Sequence, residues 1–144
     1  MEPRITLVTL GVSDLPRAVR FYRDGLGWPT TYEEGGPVAF FSTAGTRLSL
    51  YPLADLAADI GAGIQPSLGG FQGITLAHNV RTKPEVAEVL AQAQQSGGQI
   101  VKPAQDVFWG GHSGYFTDPD GYYWEVAWNP GLPLDAEGFM TLTP

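Results

Sequence analysis

Asp118-Pro119-Asp120-Gly121, running into Tyr122-Tyr123-Trp124-Glu125-Val126-Ala127-Trp128, is the stretch on which the reading of this chain turns. Pro119 presets φ for the first central position of a tight turn, the Asp side chains bond nearby backbone N–H groups, and Gly121 accepts positive φ. The residues that follow alternate as a strand rich in aromatic and β-branched side chains. Tyr123, Glu125 and Ala127 therefore share one face, and Trp124 and Val126 the other. A single carboxylate, Glu125, stands in an apolar run. Either the face that carries it is solvated, or the carboxylate lines an interior.

Upstream of this strand the chain reads as two copies of one unit. Residues 5–12 form a strand, after which Asp14 caps a helix with Pro16 in its first turn, Ala18, Phe21 and Tyr22 as its apolar stripe, and Gly25-Leu26-Gly27 as its stop. Residues 73–80 form a second strand, and Thr82 caps a helix with Pro84 in its first turn and Glu85 completing a capping box. Val86, Val89, Leu90 and Ala93 form its stripe before Gly97-Gly98. Val8-Thr9-Leu10 matches Ile74-Thr75-Leu76 and Pro16 matches Pro84, a repeat of about 66 to 68 residues. Three strands follow each helix: 30–33, 38–42 and 47–51, then 99–101, 112–117 and 122–128. Each half is thus βαβββ. A single α+β domain of two modules, 5–52 and 73–130, is expected, with a link at 53–72 that opens on a short helix over 53–60 and a Pro-broken tail at 131–144. The apolar sheet faces should pack into one cupped mixed sheet.

Composition narrows the function. The net charge of -7, with only 8 Lys and Arg, argues against nucleic acid and anionic membrane as partners and leaves small neutral or cationic ones. The absence of Cys removes disulfides, thiolate nucleophiles and thiolate metal ligands. No apolar run approaches the length of a membrane span and no leader pattern precedes the first strand, so a cytoplasmic protein is the expectation.

Gly11-Val12-Ser13-Asp14-Leu15 leading to Arg20-Phe21-Tyr22 and Gly25-Leu26-Gly27, then Gly97-Gly98, then Asp118-Pro119-Asp120-Gly121 with Glu125, together resemble the vicinal-oxygen-chelate superfamily of glyoxalase I, bleomycin resistance proteins and extradiol dioxygenases. The resemblance implies a paired βαβββ cup, usually completed in a homodimer. It also implies a metal held by four inward side chains, one on the first and one on the last strand of each half. Carried over, those positions fall on Leu7, Ser49, Gly73 and Glu125. Leu7 and Gly73 offer no side-chain donor and Ser49 a weak one, so no cofactor is expected and a divalent metal is disfavoured.

Other residues complete the candidate site. His78 falls on the opposite strand face from the cup by parity. His112, in the Gly-rich entry Trp109-Gly110-Gly111-His112, is the polar group nominated for the cavity mouth beside Glu125. Arg47 and Ser49 share a face, where Arg47 is either a surface charge or a partner for Glu125 or for a ligand carboxylate. Trp109, Tyr115 and Tyr123 are core residues or the rings of a pocket for a flat ligand. Three functions follow: a metal-independent binder of a small aromatic or hydrophobic molecule, which is preferred; a glyoxalase- or dioxygenase-related lyase, isomerase or oxidoreductase with Glu125 and His112 as its catalytic pair or with an atypical metal site; or a relic whose cup its own side chains fill. Inside an apolar cup, Glu125 should either accept a hydrogen bond from a residue such as Ser49, Arg47 or Tyr123 or titrate above the ordinary Glu range.

Overall fold

Capping, alternation and turn chemistry produce two units, Met1–Gly69 and Gly70–Pro144, in the computed structural model, which describes residues 1–142. The first contains β1 (Leu7–Val12), α1 (Leu15–Arg20), β2 (Ala39–Phe41), β3 (Arg47–Pro52) and α2 (Leu53–Ile60). Its sheet has the order β1-β3-β2, with β1 parallel and β2 antiparallel to β3. The second contains β4 (Leu76–Asn79), α3 (Lys83–Gln95), β5 (Gln99–Asp106), β6 (His112–Thr117) and β7 (Tyr123–Trp128). Its order is β4-β7-β6-β5, with β4 parallel to β7 and the other pairs antiparallel. This is the expected mixed α+β class. Among the described residues no helix is long and apolar enough to cross a membrane.

In the first unit the Asp14 carboxylate accepts the Arg17 backbone N–H at 2.9 Å, as its capping position predicts. The helix then departs from expectation. From Phe21 to Gly25 it widens into a π turn, closed by the Leu26 N–H donating to the Phe21 carbonyl at 2.9 Å. The wider turn brings two consecutive aromatic residues to the core: Phe21 and Tyr22 are both buried, edge to face at 5.0 Å, and Tyr22 meets Phe41 at 5.8 Å. Leu10, Val12, Leu48 and Leu50 share this apolar side. Gly11 faces the other way, where a Cβ would collide with Leu53 of α2 at 2.6 Å.

The strand expected at 30–33 is reduced to one bridge, Thr30 with Phe41. The Thr30 hydroxyl donates to the Phe40 carbonyl at 2.6 Å and accepts the Tyr32 N–H at 3.1 Å. Its side chain takes the place of the ladder, so the first unit is βαββ with a bridge.

The second unit follows the expected βαβββ plan. Glu85 accepts the Thr82 backbone N–H at 2.6 Å and its hydroxyl at 2.9 Å, closing the start of α3. Val86, Leu90 and Ala93 are buried under the sheet, and Gly114 admits them: a Cβ there would lie 2.6 Å from the Leu90 Cδ1 atom. Gly114, Phe116, Trp124 and Val126 therefore mark the helix side, with the Phe116 and Trp124 rings stacked at 6.1 Å. Fully burying a side chain such as Leu90 or Phe116 contributes about 1.5–3 kcal/mol.

Two strands differ in length from expectation. β5 continues past residue 101 to Asp106 through two register irregularities and across Pro103, which an edge strand tolerates because its missing N–H faces no neighbour. β4 begins at Leu76 rather than at residue 73, because Gly73 sits at φ +79 and cannot continue the extended ladder.

The turn between β6 and β7 is built around Asp118. Its carboxylate accepts the backbone N–H of Asp120 at 3.0 Å and of Tyr122 at 2.9 Å, the Gly121 N–H donates to its carbonyl at 3.0 Å, and Gly121 adopts φ +90. Asp118 is buried, so its removal strands two backbone donors. Asp118→Ala should lower unfolding stability by about 2–3 kcal/mol in urea titration, whereas Asp24→Ala, which removes a partner of the exposed Arg23, should leave the midpoint nearly unmoved. Equal midpoint shifts for the two variants contradict this account of the turn.

Candidate functional site

Strand register assigns each nominated residue to a place. In the second sheet Glu125 of β7 lies between Tyr115 of β6 and Ala77 of β4. Tyr115, Tyr123 and Glu125 share the face turned away from α3, and all three are half-buried. Trp124 and Val126 face the helix, as alternation required. Tyr115 stands directly across from Glu125, within reach of its charge. Desolvation first, and then the Glu125 charge, push the Tyr115 phenol above its ordinary pKa. Phe71 stands edge to face with Tyr123 at 5.8 Å, and the Lys102 ammonium lies 5.9 Å over the Tyr115 ring from the neighbouring strand.

The residue that faces Glu125 across the hairpin is Tyr115. A signal for it was present in the sequence. A hairpin centred on the Asp-Pro-Asp-Gly turn pairs residues equidistant from Asp120, and Tyr115 and Glu125 are such a pair. Lys102 and Phe71 carried no comparable signal. Lys102 follows a register irregularity in β5, and Phe71 precedes the first strand of its unit.

His112 is not beside Glu125. It lies three residues from Tyr115 along β6, hence on the helix side, and its Nδ1 is 2.8 Å from the Asp106 carboxylate. Lys83 of α3 meets the same carboxylate oxygen at 2.7 Å. These two contacts, Lys83 first, hold the Asp106 carboxyl below the usual carboxylate range. The acid–base pair of Glu125 with His112 therefore loses its second member to a cluster that ties β5 and β6 to the start of α3. His78, paired in register with Val126, also lies on the helix side and is exposed. Partial desolvation is the largest influence on its imidazole and lowers the pKa, against the Glu85 charge. Trp109 occupies the β5–β6 loop with its ring lying over Gly111.

In the first unit Arg47 is exposed, whereas Ser49 is 1% exposed with its hydroxyl 2.7 Å from that of Thr9. Sheet register equates the two units here. Ser49 lies between Thr9 and Phe40 as Glu125 lies between Ala77 and Tyr115. Each unit thus carries a polar pair at the same point of its sheet, two hydroxyls in the first and a phenol with a carboxylate in the second.

The same register moves one family position. With Thr9 equivalent to Ala77, Leu7 corresponds to Thr75, two residues along from Gly73. Val12 and Val80 support this, each standing two residues before a helix cap, Asp14 and Thr82. Thr75 offers only a hydroxyl. Among the described residues no three His, Asp or Glu side chains converge.

The Glu125 charge acts on the Tyr115 phenol, so removing that charge should move the phenol's titration. The fold holds Tyr115 protonated, so its contribution to stability is whole below the ordinary tyrosine value of about 10 and is lost as pH rises through the raised one. The tyrosinate absorbance difference between the native chain and Tyr115→Phe should titrate above that value, and in a Glu125→Gln background it should titrate lower. Identical midpoints in the two backgrounds contradict the pair.

Comparison with known proteins follows the same lines. The model of the Glyoxalase/Bleomycin resistance protein/Dioxygenase superfamily matches residues 4–126. The chain is similar to the solved structure of a glyoxalase-related enzyme from Fulvimarina pelagi, with 34% identity, 99% of each chain covered and a TM-score of 0.87. A glyoxalase/bleomycin resistance protein/dioxygenase from Nocardioides is 23% identical over 91% of this chain and 89% of that one, with a TM-score of 0.74. A lactoylglutathione lyase from Agrobacterium tumefaciens is 21% identical over 90% and 96%, with a TM-score of 0.68. The latter two share the fold. No curated protein matches the chain. The match across residues 4–126, together with the repeated module and the Asp118 turn, places this chain in the glyoxalase/bleomycin resistance protein/dioxygenase superfamily.

Proposed function

We propose that this protein is a metal-independent member of its superfamily that binds a small ring-bearing or apolar molecule against the Tyr115–Tyr123–Glu125 face of its second sheet, and that it works as a cytoplasmic homodimer. The observation that carries the reading is the set of side chains at the positions from which the family draws its metal ligands. Of the positions from which the family draws metal ligands, only Glu125 has a strong donor, and it faces the Tyr115 ring across the hairpin. Leu7 has no donor atom, Ser49 is buried against Thr9, and Thr75 or Gly73 supplies at most a hydroxyl. This donor set does not fit a divalent ion, which takes three or more His, Cys, Asp or Glu side chains in typical sites.

What remains at Glu125 suits retention rather than reaction. Tyr115, Tyr123 and Phe71 present rings, Ala77 and Ala127 flank the carboxylate without polar groups, and one acceptor fixes orientation. An enzyme using Glu125 as a lone base is the second reading, but displacement of His112 to the helix side removes the proton partner that reading named.

A thermal-shift experiment separates the two chemistries. Protein purified without added ions should hold no stoichiometric Zn, Ni, Mn or Fe, and a chelator should leave its melting midpoint unchanged. Naphthylmethanol at a hundred times its Kd should stabilise it by about 2.7 kcal/mol. Stoichiometric metal that is lost in Glu125→Gln overturns the metal-independent reading.

A further inference from the structure

The outer face of the first unit's sheet, turned away from its core of Phe21 and Tyr22, carries a cation and hydroxyls but no acid. Leu48 and Leu50 of β3 are buried on the core side with Ala39 and Phe41 of β2. By alternation, Arg47, Ser49 and Phe40 stand on the opposite face. Leu7 and Thr9 of β1 join them there, in register with Arg47 and Ser49 respectively. None of the three strands contains Asp or Glu. One end of the face is closed by α2, where Leu53 and Leu56 approach Gly11, and Arg47 stands at the other end.

Two donors on this face are unspent. The Arg47 guanidinium is exposed, and among the described residues it has neither an ion pair nor a hydrogen bond. Its planar fork donates and never accepts. Ser49 and Thr9 each hold one hydroxyl proton, and their mutual contact at 2.7 Å uses only one of the pair. Ser49 is 1% exposed and Thr9 is half-buried, so donation from Ser49 to Thr9 satisfies the buried hydroxyl and leaves the Thr9 proton available. Phe40, in register with Ser49, is 53% exposed and sets a ring beside these donors.

A cation here meets only like charge, and a neutral molecule leaves the guanidinium without a counter-charge. A carboxylate matches the fork with two parallel N–H···O bonds. One guanidinium balances one negative charge, which favours a monoanion over a phosphate dianion. The chain's net charge of -7 opposes any anion from afar, but exposed charges are screened beyond about 8 Å at physiological ionic strength, and the three strands add no acid of their own. We infer that this face is a second binding site, for an aromatic carboxylate, with Arg47 and the Thr9 hydroxyl donating to the carboxylate and Phe40 against the ring. The site goes beyond the role proposed for the second sheet and does not depend on it.

Calorimetric titration of naphthoate into the full chain at neutral pH tests it, with naphthylmethanol titrated in parallel. Naphthoate should bind, and Arg47→Gln should weaken it at least about tenfold, the scale of a hydrogen bond to a charged group. The melting midpoint of that variant should match the native one, because Arg47 is exposed and gives up no partner. Arg47→Lys keeps the charge but not the fork and should recover part of the affinity. Phe40→Ala should also weaken naphthoate, whereas Glu125→Gln should not. Naphthoate that fails to bind, that binds the native chain and Arg47→Gln alike, or that is weakened by Glu125→Gln and not by Arg47→Gln overturns the site. The naphthylmethanol titration reports separately on the second sheet: its failure while naphthoate binds through Arg47 overturns that role and leaves this site standing, and the reverse result overturns this site alone.

Discussion

Two hydrogen bonds from the Asp118 carboxylate to the backbone N–H groups of Asp120 and Tyr122 fix the register of the hairpin on which the site is built. Register in a sheet is a discrete choice, because a slip of one residue carries every side chain to the opposite face. In the observed register Phe116, Trp124 and Val126 reach the core under α3, and Tyr115 and Glu125 meet on the other side. Slipped by one, the hairpin would bury Glu125 against Leu90 and expose Trp124. The same choice that stabilises the core thus creates the phenol–carboxylate pair, and the buried Asp118 holds both.

The two units show how one sheet plan supports different chemistry. At equivalent points the first carries Ser49 with Thr9, two neutral hydroxyls that satisfy each other while Ser49 is buried, and the second carries Glu125 with Tyr115. A hydroxyl pair is neutral, and burial withdraws Ser49 from solvent. A carboxylate offers about four acceptor sites. The chemical asymmetry of the repeat therefore leaves a carboxylate, Glu125, at the point where the first unit has the Ser49 hydroxyl.

Much of this was legible in the residues. The capping signals at Asp14 and Thr82, the stripe of α3 and the alternation of β7 are local rules, and the structure follows them. The errors came where a side chain or a fold-level neighbour overrides local rules. Thr30 bonds the backbone and replaces a strand, while Pro103 passes unharmed through an edge strand whose position only the sheet order reveals. Text similarity placed the second-half family position at Gly73, whereas register places it at Thr75, because matching letters ignored the fixed distance from strand to cap. In the sequence, the Gly-rich entry to β6 leaves the direction of His112 open. Parity along β6 and the attraction of Asp106 send it to the other face. The partner of Glu125 needed only the symmetry of the turn, a longer-range inference than alternation along one strand.

The central claim is that Tyr115 and Glu125 act as one unit, and a double-mutant cycle on unfolding free energy tests it most directly. Tyr115→Phe, Glu125→Ala and the double variant, compared with the native chain by urea titration, should reveal a favourable coupling of about 0.5–1.5 kcal/mol, the range of a single intramolecular hydrogen bond. Single-variant losses that add to the double-variant loss within about 0.3 kcal/mol would contradict the pair and, with it, the site.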